Sequence, residues 1–382
     1  MAKINRIKIV GFRRFLAIDL PVRQFMVLIG ANSVGKTSLL DAFTLLSASA
    51  EGNLNKTLSD FGGLTSLLTR GKASELSFQV NMPVPGHEPM VYELHLTPKG
   101  ASYNISREIL SQLRQGYTDP FLHIESSYGD IRYYEPIEKR IIRPSWDHNP
   151  LESSLAQVPR MFPQPEEFRR LLATATHYHL LDVGPQAPVK SPQQMKPAML
   201  PGPSGEDLIP FLYYLRETEI DRFEAVVDSL RVAFPDFQDL AFPPVAAGRL
   251  SMTWKDKKFS KPFYPDELSE GTLRFLWLIA LLHSPALTTL TLIDEPEVSL
   301  HPELLSLLAE VMREASSRTQ LIVATHSDRF IRFLKPEEVV VLDFDETGCT
   351  TATWADTMDL DHWLAEYSLD EVWRLGRMGG RS

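Results

Sequence analysis

Residues 30–37 read Gly-Ala-Asn-Ser-Val-Gly-Lys-Thr. Glycine at 30 and 35, followed by Lys36 and Thr37, is the spacing of a loop that wraps a phosphate. Gly30 and Gly35 admit backbone conformations that a Cβ resists. Successive N–H groups from Ala31, Asn32, Ser33, Val34 and Ser38 can then face phosphate oxygens at a helix N-terminus. Lys36 supplies a positive charge, and the Thr37 hydroxyl can ligate Mg2+. Asp294 and Glu295 form a second candidate group: one carboxylate for a metal ion, the next to orient or deprotonate a water. His326 is a third, and Ser269 with Gly271 a fourth. A serine hydroxyl, a glycine and a freed helix N-terminus together suit an anion.

Each group needs an element to hold it. The apolar run Phe25–Ile29 predicts a buried strand entering the glycine loop, and Leu39, Leu40, Phe43 and Leu46 predict a helix leaving it. Residues 289–293 predict a strand that delivers Asp294 at its carboxyl end, where ligands bind in open α/β sheets. Pro296 predicts a sharp exit, with the next helix starting at Pro302. The strand Leu321-Ile322-Val323 delivers His326, and Ser269 caps an apolar helix over 273–283. Asp294 and Glu295 could instead merely open a helix, since acids favour helix N-termini.

With these four groups in this order, the chain resembles the RecF/OLD-type ABC ATPases, bacterial relatives of the SMC proteins. The resemblance rests on 9–15, 28–40, 268–282, 292–302, 320–327 and the tail 363–380. It implies an α/β, ABC-type P-loop NTPase head with a mixed sheet and flanking helices, and an inserted, mostly helical lobe. Its implied segments are 1–104 and 246–382 for the head and 105–245 for the lobe. It also implies ATP and Mg2+ as cofactors. ATP would be sandwiched head to tail in a homodimer, between Gly30–Thr37 of one subunit and Ser269–Gly271 of the other. Lys36, Glu295 and His326 would be catalytic, Thr37 and Asp294 would hold the metal, Ser299-Leu300-His301 would be the D-loop, and Arg13 would lie near the adenine. Two features depart from the transporter pattern. Glu270 stands where a glycine is usual, and the Q-loop glutamine has three candidates: Gln79, Gln112 and Gln157.

Length and composition narrow the class. The 382 residues are 43% hydrophobic and 23% charged, as in globular proteins. One cysteine, Cys349, precludes an intrachain disulfide and points to a reducing cytoplasm. The longest apolar run, 275–282, is far short of the ~20 residues that span a bilayer, so no membrane partner is expected. The net charge of −10 disfavours whole-surface nucleic-acid binding. A local cluster of Arg132, Lys139, Arg140 and Arg143 beside Tyr133, Tyr134 and Trp146 leaves DNA open; Glu135 and Glu138 nearby make a solvated face the simpler reading.

Along the chain, 76–80 and 91–97 predict a hairpin, joined by the turn-rich 83–86. A helix is predicted in 161–176 after Pro165, and further helices over 207–216 and 219–234. The prolines at 185, 188, 192, 197, 201 and 203 argue against regular structure there. Asp343 and Asp345 resemble the metal-binding acids of the Toprim domain carried by OLD proteins. Only 37 residues follow Asp345, too few for that domain, and a strand end with a turn is the expectation. Three functions compete. One is an ATP-hydrolysing dimeric switch of anti-phage defence with a separate nuclease or toxin as effector. The others are a RecF-like repair ATPase clamping duplex DNA, and a non-catalytic ATP-dependent scaffold.

Overall fold

The computed structural model describes residues 3–83, 86, 88–113, 119–158 and 163–379. The chain forms two compact units: Met1–Thr176 with Pro336–Tyr367 and Val372–Ser382, and His177–Lys335 with Ser368–Glu371.

The first unit contains an eight-stranded antiparallel sheet built from β1 (Arg6–Phe12), β2 (Phe15–Pro21), β4 (Leu76–Met82), β5 (Met90–Lys99), β6 (Ser102–Gln112), β7 (Phe121–Ser127), β8 (Asp130–Glu135) and β9 (Arg140–Ile142). Its order is β2-β1-β4-β5-β6-β7-β8-β9. Strict alternation in β4 buries Leu76, Phe78, Val80 and Met82 and turns Ser77, Gln79 and Asn81 outward. That period of two gives the sheet one apolar face. The hairpin expected over 76–97 is β4–β5, with Phe78 opposite Leu94 and Val80 opposite Tyr92. Val84 and Pro85 of its expected turn lie outside the described residues.

A second layer of this unit carries the glycine loop. The strand β3 (Phe25–Ile29) is buried along its whole length. It runs parallel to β18 (Val339–Phe344), with Leu28 beside Val340, and β18 pairs antiparallel with β19 (Thr350–Trp354). A strand buried on both faces reads as a continuous apolar run, as 25–29 does. The helix α1 (Lys36–Glu51) follows the loop and is stopped by Gly52 in the left-handed region, φ 80°. Short helices α2 (Leu54–Asp60) and α3 (Leu64–Leu67) come next.

The segment 105–176 adds strands β7–β9 that the sequence reading did not anticipate, together with α4 (Ser154–Gln157) and α5 (Pro163–Ala173). Residues 161 and 162 of the expected helix lie outside the described residues. A buried carboxylate ties α4 to the sheet. Glu108 accepts from Ser154 N at 2.6 Å, Leu155 N at 2.9 Å and the Tyr92 hydroxyl at 2.9 Å. Ser153 caps α4 and donates to the Ser49 carbonyl at 2.6 Å, so the same cluster fixes the end of α1.

The second unit begins at the end of β10 (Ala175–Tyr178). It contains α6 (Leu208–Thr218), α7 (Ile220–Ala233), α8 (Glu270–His283), β16 (Leu290–Asp294), α9 (Leu304–Ala315), β17 (Gln320–Ala324) and α10 (Asp328–Ile331). Small strands complete it: β11 (Gln193–Gln194) with β14 (Arg249–Leu250) and β13 (Pro244–Val245), and β12 (Phe237–Ala241) with β15 (Thr253–Asp256). β16 and β17 are parallel, with Asp294 opposite Ala324. The proline-rich stretch 185–203 is irregular apart from one 3-10 turn and the two-residue β11. It is held to α8 by bonds from Trp277 Nε1 to the Gly202 carbonyl and from Ser284 Oγ to the Met199 carbonyl, 2.9 and 2.8 Å. α9 begins two residues after the expected Pro302, yet buries the expected face of Leu304, Leu305, Leu308, Val311 and Met312. Among the described residues, no helix is long and apolar enough to cross a membrane.

Glu108→Gln tests the α4 anchor. The two backbone N–H groups bond different oxygens of Glu108, so the amide keeps one acceptor and sets its NH2 against the other N–H; urea melts should show a loss of about 1–3 kcal/mol. Burial raises the Glu108 carboxyl above its usual 4.5. Its stabilisation is therefore fully present at acid pH and declines as pH rises through the folded-state value. The deficit of the variant should narrow from about pH 4.5 to about pH 7. An unchanged midpoint at both pH values would remove Glu108 from this role.

Candidate functional site

In the first unit the glycine loop folds as a cradle. Gly30 has φ 149° and Gly35 φ 113°; Ser33 between them has φ 63°. A Cβ on Gly30 would lie 2.4 Å from the Leu342 carbonyl oxygen, and one on Gly35 would lie 3.0 Å from the Phe15 ring. Only glycine fits either place. The Lys36 ammonium is buried and donates to the Gly30 and Ala31 carbonyls, 2.6 and 2.9 Å, which fixes it across the loop. Thr350 on β19 donates to the Val34 carbonyl at 2.5 Å and braces the loop from below. This brace was invisible in the sequence, since residues 34 and 350 are brought together only by the β3–β18–β19 pairing. The loop suits a polyphosphate: glycines where a side chain would fill the cradle, an adjacent helix N-terminus and a buried ammonium.

Arg13, in the β1–β2 turn with φ 50°, donates to Asp41 at 2.5 Å and to Ser38 Oγ at 3.3 Å. Its guanidinium also lies over the Phe12 and Phe61 rings, 5.3 and 5.6 Å from their centroids. The three glutamine candidates are engaged locally. Gln79 bonds Glu93, Gln112 bonds the Glu88 carbonyl, and the Gln157 amide closes onto Asn149, Glu152 and Ser153.

In the second unit Asp294 ends β16, and Glu295 continues the pairing through its N–H to the Ala324 carbonyl, 2.8 Å. Glu295 then turns into the left-handed region, φ 49°, a costly place for a non-glycine residue. That turn aims its carboxylate at His326, with 3.1 Å between Oε1 and Nε2. His326 leaves β17 through Thr325 and Ser327. The loop is held by Glu297, whose Oε1 accepts from Thr325 Oγ1 at 2.6 Å and His326 N at 3.1 Å. Burial pushes the Glu297 carboxyl above its ordinary range against these bonds. Sequence reading missed Glu297. Its signal was a third acid two residues after Glu295.

Ser269 caps α8, accepting from Thr272 N at 3.2 Å. A Cβ on Gly271 would fall 2.5 Å from the Ser299 carbonyl oxygen, so the start of α8 rests on the 297–300 turn. Ser299 itself has φ 65°. Arg274, one turn into α8, donates to Ser299 Oγ and, at 3.3 Å, to the Leu181 carbonyl. Beside Ser269 and Thr272 opens a cavity of about 320 Å3 walled by Phe234, Phe237, Trp254 and Phe263.

Two peripheral candidates resolve differently. Arg132 and Arg143 both bond Asp130, and Arg140 bonds Glu138, so these cations are paired locally. Asp345 accepts from Thr347 N and Cys349 N and closes the β18–β19 turn, as expected of a turn residue.

A family model matches residues 25–332, which include every one of these groups except Arg13, the Thr350 brace and the Asp345 turn. The chain belongs to the AAA_21 family. Its description reads "AAA domain, putative AbiEii toxin, Type IV TA system". No curated protein matches. Among solved structures, the Smc head bound to the C-winged helix domain of ScpA aligns with this AAA_21 chain at TM-score 0.57 and 14% identity, covering 92% of this chain and 97% of that one. A Smc head with an extended coiled coil, bound to the C-terminal domain of ScpA derived from Pyrococcus furiosus, aligns at TM-score 0.54 and 12% identity over 99% of each chain. At such identities the likeness concerns fold: the AAA_21 chain has the α/β architecture of ABC-type P-loop ATPase heads, with a mixed sheet and helices. The narrower RecF/OLD assignment goes beyond these matches.

Gly271→Ala tests the contact between α8 and the 297–300 turn. The added methyl cannot coexist with the Ser299 carbonyl, so thermal or urea unfolding should show a loss of about 1–3 kcal/mol. A variant as stable as the parent would refute the close approach.

Proposed function

We propose that this protein is an ATP-binding and ATP-hydrolysing switch that works as a homodimer. The observation that carries the reading is the Glu295–His326 pair, 3.1 Å apart, at the carboxyl ends of two parallel strands. Gly30–Ser38 wrap the phosphates, and Lys36 draws charge from the β- and γ-phosphates. Thr37 and Asp294 each offer an oxygen donor of the kind a hard divalent cation takes, and Mg2+ would neutralise phosphate charge. Glu295 orients the attacking water and accepts its proton. His326 holds Glu295 through the 3.1 Å contact and faces the γ-phosphate. Ser269 and Gly271 serve the nucleotide held by the partner subunit, since α8 offers a second anion-binding N-terminus. Arg13 serves the adenine end by resemblance.

We keep residues 105–245 as an insertion into the head. The biological reading is a defence switch acting with a separate nuclease or toxin. The link to a toxin–antitoxin system draws on the family description, "putative AbiEii toxin, Type IV TA system"; the separate effector is our own reading. The local pairing of Arg132, Arg140 and Arg143 gives no support to a DNA clamp.

The test is the steady-state ATP hydrolysis of wild type, Glu295→Gln and Lys36→Ala, each with and without duplex DNA. Glu295→Gln should retain ATP binding and lose hydrolysis by about 10²- to 10⁴-fold. Lys36→Ala should lose binding. A Glu295→Gln rate equal to wild type would remove the general-base role, and DNA stimulation of the wild-type rate would replace the protein-partner reading with the clamp.

A further inference from the structure

His177 and His179 play no part in the reading above. They stand two residues apart at the end of β10, and the strand period of two puts both on one face. Tyr178 points the other way, buried edge-on against Trp277 with centroids 5.7 Å apart. The two imidazoles are in contact, 3.9 Å between ring centroids and tilted 40° to one another. Asp294 completes the group: one donor atom from each of the three side chains falls within 4.8 Å of the other two. His179 and Asp294 also line a narrow cavity of about 10 Å3, space for one ion or water. The cation on that cavity's wall, Arg274, has donors directed at the Leu181 carbonyl and Ser299 and lies 3.9 Å from Glu270.

We propose that His177, His179 and Asp294 form a binding site for a divalent transition-metal ion, with Zn2+ as the fitting probe. Two imidazole nitrogens and one carboxylate oxygen are the donor set of such ions, whereas Mg2+ prefers oxygen alone. Three protein ligands leave a fourth position for water or a phosphate oxygen. Ligands around a tetrahedral ion with arms of ~2.1 Å stand ~3.4 Å apart, so the site closes by rotation of the exposed His179 side chain. The site is new to the nucleotide chemistry in one respect: it takes Asp294 away from Mg2+. A bound transition ion therefore restrains hydrolysis, and only this consequence rests on the function proposed above.

The experiment uses the full chain without nucleotide, titrated with Zn2+ alone against a chromophoric chelator. Wild type should bind about one equivalent. Disturbing even outer partners of a metal site costs about 10- to 100-fold in affinity, so His179→Ala and His177→Ala should each weaken binding at least tenfold. His179 is exposed, so its variant reports on the site even if His177→Ala unfolds. Lys36→Ala should bind Zn2+ as wild type does, which separates this site from the phosphate cradle. In Mg2+ and ATP, added Zn2+ should slow wild type and leave His179→Ala unaffected, with equal rates for both in Mg2+ alone. Zn2+ binding indifferent to His179→Ala, or none above a nonspecific background, overturns the proposal. If no hydrolysis is measurable in any variant, the function fails while the chelator titration still decides the metal site.

Discussion

Two carbonyl oxygens stand where a side chain would have to begin. Leu342 O lies 2.4 Å from the place of a Gly30 Cβ, and Ser299 O lies 2.5 Å from that of a Gly271 Cβ. Each is a meeting of two backbones, and neither can yield by rotating a rotamer. The first lets the phosphate loop leave β3 directly against β18. The second seats the amino end of α8 on the turn that follows the Asp294–Glu295 pair. Buried β3, the Thr350 brace and the Gly52-capped α1 belong to the unit of the first approach, and the Glu297-centred loop to that of the second.

Among the described residues, the buried or part-buried ionisable side chains Lys36, Glu108 and Glu297 each bond neighbouring groups. Lys36 is turned onto the carbonyls of its own loop, and Glu108 onto the amino end of α4. Glu297 is the instructive case. Its carboxylate is costly to bury, yet it binds a threonine hydroxyl and a backbone N–H that fix the direction of His326. The contact between His326 and Glu295 is thus set by a third acid that touches neither side chain's reacting end. Backbone strain is placed the same way. Arg13, Ser33, Glu295 and Ser299 all adopt positive φ at the turns that present candidate functional groups, and such strain persists only where packing over-determines it.

Much of the fold was legible because its signals are local. The run 25–29, the alternation in 76–82 and the spacing of Leu304, Leu305, Leu308, Val311 and Met312 each encode burial within one element. The prolines between 185 and 203 likewise exclude regular structure by themselves. Strands β7–β9 were not legible: short segments such as Arg140–Ile142 carry no periodicity, and they are strands because β6 offers an edge to pair with. The arginines of that region show the same limit. Their spacing resembles a basic patch, but Asp130 pairs with both Arg132 and Arg143, and Glu138 with Arg140.

The sequence by itself determined the glycine loop, the carboxylates after an apolar strand, and the α/β class, because glycine spacing and hydrophobic period act within a few residues. Tertiary structure alone decided which distant groups meet. Thr350 reaches Val34 through two strand pairings, Glu297 reaches Thr325 across parallel β16 and β17, and His177 and His179 come within 4.8 Å of Asp294 from a segment more than a hundred residues away. Such pairings depend on sheet order and register, and no local pattern of residues specifies those.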